Sequence, residues 1–284
     1  MTTTVLGKLD PVPVRPLAPE LKVTQARVIK SEWIKFRSLR STLITLGAAA
    51  VLLVGLGVLL SAFRSGQLAA PDGGGRPAGG QDPTAISLGG AMLAQLIIGS
   101  LGVLITATEY STGMIRSSLA AVPRRLPVLW GKVIVFAVVT FAVMAVASFL
   151  AFFGGQAVLS SGGAATASLG DPGVLRAVLG SAVDLTGVGL LGLALGALLR
   201  TTAGAISTLF GVTLLLPGLI QLLPDSVGTA VGPYLPSTAV QAFMTAQAAP
   251  GANLLSPWAG LAVFAGYIVV LLGAAAVFLK RRDA

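Results

Sequence analysis

Six long apolar runs, separated by shorter polar stretches, dominate the chain. Each run can hold the ~20 helical residues that cross a hydrocarbon core. Backbone groups in lipid must be satisfied within their own segment, which favours helices in runs this continuous. The alternating ten-residue segments typical of a membrane barrel are absent. The pattern therefore predicts an all-α integral membrane protein with a six-span domain over residues 42–284. The predicted transmembrane helices are residues 42–63, 86–108, 128–153, 174–199, 203–223 and 257–279.

Composition supports this class. Of the 284 residues, 55% are hydrophobic and only 10% are charged, whereas soluble domains carry about 25% charged residues. The chain has no Cys and no His, so it lacks disulfides, thiol nucleophiles, imidazole bases and the usual zinc or haem ligands. We therefore expect no cofactor in this chain and no catalysis by it alone.

The distribution of Lys and Arg predicts the orientation. Eight of these residues precede residue 42, four lie within 109–132, one is Arg200 and three close the chain, a total of sixteen. The opposite side has only Arg64, Arg76 and Arg176. The positive-inside rule then places both termini of a multi-pass membrane protein in the cytoplasm. The net charge of +9 is explained by topology, so we expect no nucleic-acid partner.

Two segments precede the first span. Residues 1–21 contain four prolines and show no periodicity, which is typical of a disordered cytoplasmic tail. In residues 22–41, Ile29, Trp33 and Phe36 recur at helical spacing among basic residues. This pattern predicts an interfacial helix with snorkelling basic side chains. The alternative is a basic flank that merely follows the positive-inside rule.

The connections differ in character. After Glu109, Ser111 or Thr112 is placed to cap a short helix over 114–121, and Pro123 would stop it. We interpret residues 109–125 as a docking element for a partner protein rather than an ordinary basic loop. Spans 4 and 5 are separated only by residues 200–202, which predicts antiparallel neighbours. On the outer side we expect flexible linkers at 64–85 and 154–173 and a short capped helix within 237–247.

Three features inside the spans have competing interpretations. Asp184 lies in the middle of span 4, where a carboxylate is costly. It either lines a substrate path or bonds to a polar side chain such as Gln95 or Gln221. The glycines at 187, 189 and 192 match a dinucleotide fingerprint by letters only, since no strand precedes them. With Gly196 they favour close helix packing, and Pro217 predicts a bend in span 5.

The sequence lacks the motifs of an ATPase or an ordinary enzyme. Gly131-Lys132 is followed by Val133 and has no phosphate-loop context. We expect Asp184 to be the one buried acidic residue, which makes no catalytic site without His, Cys or a metal. A secondary transporter would need further buried ionisable groups and usually an internal repeat.

Four short motifs resemble those of a known family. They are Ser31-Glu-Trp-Ile-Lys-Phe-Arg-Ser-Leu-Arg-Ser-Thr42, Thr108-Glu-Tyr-Ser-Thr-Gly-Met-Ile-Arg-Ser-Ser-Leu119, Ala203-Gly-Ala-Ile-Ser207 and Leu279-Lys-Arg-Arg-Asp283. In order and spacing they are similar to the permease subunits of type-2 ABC exporters, in the form common in actinobacteria. This resemblance implies a location in the bacterial plasma membrane.

The resemblance implies a function that residue patterns alone do not. It implies a permease that pairs with a second copy or a homologous permease and forms the substrate pathway for export. A separate cytoplasmic ATPase would bind ATP and Mg²⁺. By the same resemblance, residues 22–41 correspond to a connecting helix, with Glu32, Trp33, Lys35 and Arg37 as its site residues. Residues 109–119 correspond to the coupling helix. Its site residues are Glu109, Tyr110, Gly113, Met114 and Arg116.

Other functions remain open. The chain is also compatible with a membrane anchor, or with a regulatory or immunity subunit of a membrane complex that transports nothing. An intramembrane enzyme is the weakest option, because the nucleophile and base are missing.

Overall fold

The computed structural model describes residues 24–68, 82–113, 125–248 and 251–281, and these ranges contain helices and no strand. The first five helices run from the N-terminal segment through span 3. They are α1 (Gln25–Ser38), α2 (Arg40–Arg64), α3 (Pro83–Ser87), α4 (Ala91–Ser111) and α5 (Arg125–Ser161). The remaining elements are α6 (Val174–Leu199), α7 (Thr202–Phe210), a π-helical turn (Gly211–Leu215), α8 (Leu216–Ile220), α9 (Asp225–Val231), a 3₁₀ turn (Gly232–Tyr234), α10 (Pro236–Met244) and α11 (Pro257–Arg281).

Six helices in the described ranges are long and apolar enough to cross a membrane. Five are the single helices α2, α4, α5, α6 and α11. The remaining one is the run Thr202–Ile220, which joins α7, the π-helical turn and α8. The predicted all-helical, six-span architecture is confirmed at this level.

Helix α5 extends well beyond its predicted end. Helix α5 continues to Ser161, so residues 154–161 are helical and their assignment to a flexible linker was wrong. Its 37 residues give a length of about 55 Å, well beyond a hydrocarbon core. Gly154 and Gly155 belong to this helix because they let it pack closely. A Cβ on Gly154 would meet Val58 at 2.9 Å, and one on Gly155 would meet the side chains of Ser87 and Ser61.

Span 2 is interrupted near its outer end. The predicted single run 86–108 divides into α3 and α4, with a turn at Leu88–Gly90. Asp82 caps α3, since its carboxylate accepts a hydrogen bond from the Thr84 N–H at 2.9 Å. Gln156 of α5 forms two hydrogen bonds to α3, next to this turn. Its amide donates to the Pro83 carbonyl at 3.1 Å and to Ser87 Oγ at 3.0 Å.

Small residues bring α4 and α6 into contact at the centre of the bundle. A Cβ on Gly102 would overlap the Gly189 carbonyl, and one on Gly192 would overlap the Gly99 carbonyl. Gly196 lies in the same way against Val103. The packing interpretation of these glycines is confirmed. Close backbone approach of this kind is the usual basis of helix association in lipid, where hydrophobic burial supplies little.

Span 5 is irregular where Pro217 predicted a bend. The π-helical turn Gly211–Leu215 immediately precedes the residues around Pro217. Proline lacks an N–H and its ring crowds the carbonyl four residues earlier, and π-helical turns are common at such irregularities. Thr213 adds a bond to the Leu209 carbonyl at 2.8 Å. The short turn between α6 and α7 places these helices next to each other, as expected.

The predicted outer helix is α10, but its predicted cap was wrong. Leu235 occupies the N-cap position and gives no side-chain bond, while the Ser237 hydroxyl is buried without a partner. The other end of α10 is bound by Arg176 from α6. Its guanidinium donates to the Phe243 carbonyl at 2.5 Å and to the Thr245 carbonyl at 2.8 Å. A cation at a helix C-terminus is favourable, so this contact holds α10 against α6.

The ends of the spans meet in the alternating order that the sequence predicts. Gln67 after α2 bonds to Ser161 at the end of α5, at 2.7 Å. At the opposite surface, the end of α4, the start of α5 and the end of α6 come together beside α1. We call this second surface the basic rim. Its assignment to the cytoplasm stays a prediction of the positive-inside rule.

The α4–α6 contact predicts a specific sensitivity to a methyl group. We expect Gly102→Ala to lower the stability of the purified protein by about 1–3 kcal/mol, because the added carbon overlaps a backbone carbonyl. Gly266→Ala on α11 is the matched control, since a Cβ there meets nothing within 4 Å. Thermal unfolding in detergent measures both. Equal melting temperatures for the two variants would contradict the packing argument.

Candidate functional site

A buried group of opposite charges lies in the basic rim. The Lys132 ammonium is 2.9 Å from Glu32 Oε2 and 2.8 Å from Glu109 Oε1. The exposed fractions of these three side chains are only 6–9%. Lys35, which is 33% exposed, bonds to Glu32 Oε1 at 2.8 Å and lies 3.9 Å from Glu109 Oε1. We call these four residues the charge cluster. It joins α1 to α4 and α5.

The sequence of α1 places Glu32 in the interior. Val28, Glu32 and Phe36 recur every four residues and form the buried face of the helix. This face lies against Gly131 of α5, where an added Cβ would be 3.1 Å from Val28 and 3.6 Å from Glu32. The glycine therefore gives α1 the room to reach Lys132.

The expected apolar face of α1 was partly wrong. It was assigned to Ile29, Trp33 and Phe36, but Trp33 is 44% exposed and Ile29 only half-buried. The buried face is turned by about one residue, or about 100°. Glu32 is buried because it pairs with Lys132 and Lys35. A pattern of hydrophobic residues cannot predict a buried charged residue. The interfacial position of α1 stays a prediction.

Burial and pairing oppose each other at Glu32. Removal from water raises the pKa of its carboxyl. The attraction of Lys132 and the hydrogen bonds from Lys35 and Lys132 lower it, and together they leave the pKa below the ordinary value. The folded chain therefore favours the ionised carboxylate. A buried pair of this kind is costly to form, but removal of one partner is costlier still, because the other charge stays buried.

A second contact joins the end of α4 to the end of α6. The Arg200 guanidinium carbon lies 4.9 Å from the centre of the Tyr110 ring, within the range of a cation–π interaction. One turn deeper, the Thr106 hydroxyl donates to the Leu193 carbonyl at 3.0 Å. Beyond Tyr110, α4 ends at Ser111, and Gly113 has a φ of +72°. That left-handed conformation is the usual glycine termination of a helix.

The structure gathers some of the predicted site residues and separates others. Glu32, Lys35 and Glu109 meet in the charge cluster, and Tyr110 lies one residue beyond it. Arg37 and Gly113 are exposed. Met114 and Arg116, with the short helix predicted over 114–121, lie outside the described residues.

Asp184 is remote from the rim. Sixteen residues separate it from Arg200 on α6, which is about 24 Å along the helix axis. It is 5% exposed and forms no hydrogen bond in the part of the chain that the structure describes, with Gln95, Gln221 or any other side chain. Its helical position lies between Gly180 and Gly187, which face Phe243 of α10 and Phe264 of α11. A role in a substrate path stays a prediction.

Sequence reasoning missed Lys132 and misjudged the acidic residues. The expectation that Asp184 would be the one buried acid was wrong, since Glu32 and Glu109 are 6% and 7% exposed. A shortage of buried ionisable groups therefore no longer speaks against a secondary transporter. Lys132 was assigned only a topological role. Its place inside the run 128–153, with two glutamates in the neighbouring polar segments, was the available signal.

Comparisons with known proteins add no family assignment. No protein-family model matches the chain, and the search of curated proteins finds no match. Within the described residues, no group of three or more His, Cys, Asp or Glu gathers that could hold a metal ion.

Removal of the Lys132 charge should destabilise the fold. We expect Lys132→Met to cost about 3–5 kcal/mol, because two carboxylates stay buried with only the partly exposed Lys35 as a counter-charge. Lys30→Met is the control, since Lys30 is exposed on α1. The triple variant Glu32→Gln, Glu109→Gln, Lys132→Met should recover most of the loss. Thermal unfolding in detergent measures all three. A Lys132→Met protein as stable as Lys30→Met would show that the cluster contributes little.

The cluster also predicts an acid dependence. The pKa of Glu32 is lower in the folded chain than its ordinary value of 4.5. Its stabilising effect is therefore complete at higher pH and is lost as the pH falls below about 4.5, through the folded-state pKa. Melting temperature measured against pH should fall more steeply for the wild type than for Glu32→Gln in that window. Parallel curves would refute this origin of the acid sensitivity.

Proposed function

We propose that the chain is the membrane-spanning permease subunit of an ATP-driven ABC exporter. Three observations support the proposal. The chain has six helices that can cross a membrane, its motifs at 31–42 and 108–119 resemble those of such permeases, and a charge cluster ties these two motifs together. In this proposal two permease subunits, identical or homologous, form the substrate pathway. A separate cytoplasmic ATPase holds ATP and Mg²⁺.

The charge cluster is the observation that carries the proposal. Residues 112–124 connect α4 to α5, and Glu109 and Lys132 stand on the two sides of this connection. The same lysine holds Glu32 of α1. A force applied to the connection by a bound ATPase would therefore reach α1, α4 and α5 together. In an ordinary basic loop, no such buried link to α1 is needed.

From the rim, displacement has a direct route to the centre of the bundle. Helix α4 contacts α6 through backbone and small residues at Gly99, Gly102, Gly189 and Gly192. Such contacts have no flexible side chains to absorb a shift. ATP binding would close the ATPase pair, displace the rim and change which side of the membrane the pathway faces. This route is a hypothesis from spatial continuity.

The absence of cysteine makes a direct test possible. Thr112 is exposed at the rim, and Thr166 is exposed between α5 and α6 at the opposite surface. In native membranes, a thiol-to-amine cross-linker should join Thr112→Cys to an ATP-binding protein identifiable by mass spectrometry. The matched control Thr166→Cys should not capture it. Addition of Arg116→Glu to the Thr112→Cys protein should reduce the yield.

Two results would count against the proposal. Capture of no ATP-binding protein from Thr112→Cys would favour an anchor or regulatory subunit that works without an ATPase. Equal capture from Thr166→Cys would show that the partner does not bind specifically at the basic rim. The charge cluster would then have no coupling role.

A further inference from the structure

A cavity of about 430 Å³ lies beside the charge cluster. Residues of α1, the start of α2, the end of α4 and the start of α5 line it. Its volume falls in the range of small-molecule sites. No proposed role of the cluster accounts for this space, and its two ends differ in chemistry.

One end offers donors to an anion. Helix α2 begins at Arg40 after Leu39, which provides no side-chain cap. The Thr42 N–H already donates to the Leu39 carbonyl at 3.0 Å, so the helix start offers the N–H groups of Arg40 and Ser41. Thr42, in this first turn, lines the cavity and is only 4% exposed. A threonine hydroxyl can donate one hydrogen bond and accept others, so at the cavity wall it is available to a bound ligand.

The charges around this end favour a negative ligand. Lys35 and Lys132 line the cavity with Glu32 and Glu109, and these four formal charges cancel. Arg37 and Arg40 do not line the cavity, but they are exposed at the junction of α1 and α2 and add two positive charges beside it. The two carboxylates oppose an anion, but each is bound to Lys132. The helix start at Arg40 adds a positive partial charge.

The other end is apolar. Leu101, Leu104 and Ile105 of α4 face Val135 and Phe136 of α5 across it. The cavity wall extends from Leu101 of α4 to Thr112, the residue just after the helix, about 16 Å along the axis. That depth is about half of a hydrocarbon core. Leu39 and Leu104 are 53% and 38% exposed, so the wall is open on a side where α2 and α4 present apolar residues.

We propose that this cavity binds one anionic phospholipid of the adjacent leaflet. Its phosphate lies at Thr42, the start of α2 and Lys35, and one acyl chain lies along Leu101 and Leu104. A soluble phosphate would satisfy the donors but leave the apolar depth empty. A zwitterionic lipid would fill the depth but not match the excess positive charge. The inference concerns a resident lipid and does not require that the chain transport anything.

Native mass spectrometry from nanodiscs tests the proposal. The full chain is reconstituted in phosphatidylcholine with or without phosphatidylglycerol, and retained lipid is counted after the disc is removed. We expect one phosphatidylglycerol per chain, retained in preference to phosphatidylcholine. Thr42→Val should lower this retention about tenfold, the factor that corresponds to 1.4 kcal/mol. Leu104→Trp, which fills the apolar end, should abolish it.

Matched variants separate a lost site from a damaged fold. Thr140→Val makes the same substitution at a buried threonine on α5 that lies outside the cavity. Leu93→Trp enlarges an exposed leucine of α4 that does not line it. Both should retain the lipid as the wild type does, and all four variants should elute as monodisperse protein with similar melting temperatures.

Cross-linking locates the lipid. Phosphatidylglycerol with a photoreactive acyl chain should label peptides that contain Leu104 or Val135. Three results would overturn the proposal. They are equal retention of both lipids, displacement of the lipid by inorganic phosphate alone, and absence of label on these walls. The last result would show that a second copy or another part of the chain covers the cavity.

Discussion

The burial of the Lys132 ammonium constrains the whole basic rim. A charge removed from water needs counter-charges at hydrogen-bond distance, and Lys132 has two, from α1 and α4. Neither glutamate can leave without exposing an unpaired charge to a nearly dry environment. The positions of α1, α4 and α5 are therefore interdependent in a way that apolar packing, which tolerates small shifts, would not impose. Such pairs often contribute more to a defined arrangement than to net stability.

The central contact of α4 and α6 extends this rigidity into the bundle. Helices in lipid gain little from hydrophobic burial and associate where their backbones approach closely. The glycines of α4 and α6 meet that requirement, and the Tyr110–Arg200 contact secures the same two helices at the rim. These contacts tie α4 to α6 from the basic rim to the centre of the bundle. Span 5, with its π-helical turn before Pro217, is the least regular of the six.

Much of the fold is predictable from the sequence because lipid imposes long continuous apolar runs. The errors occurred where one residue type serves two purposes. Gly154 and Gly155 have the composition of a linker, but close packing makes them part of a helix. Lys132 follows the positive-inside rule and also pairs with acids 100 and 23 residues away. No local sequence pattern predicts a contact between residues so far apart in the chain. The face of α1 was turned for the same reason, since hydrophobic spacing ignores a buried Glu32.

The charge cluster and the cavity cannot be independent, because all four residues of the cluster line the cavity, among them the partly exposed Lys35. Its ammonium bonds to Glu32 and lies within 4 Å of Glu109. A phosphate bound beside Lys35 would compete with these carboxylates for its ammonium group. Any displacement of the rim that weakens the Lys35–Glu32 bond would in turn strengthen the interaction of the Lys35 ammonium with the phosphate. Binding free energies are reciprocal, so a lipid that prefers one position of the rim must stabilise that position by the same factor. The leaflet beside the rim would then bias the state of the bundle through the charge cluster.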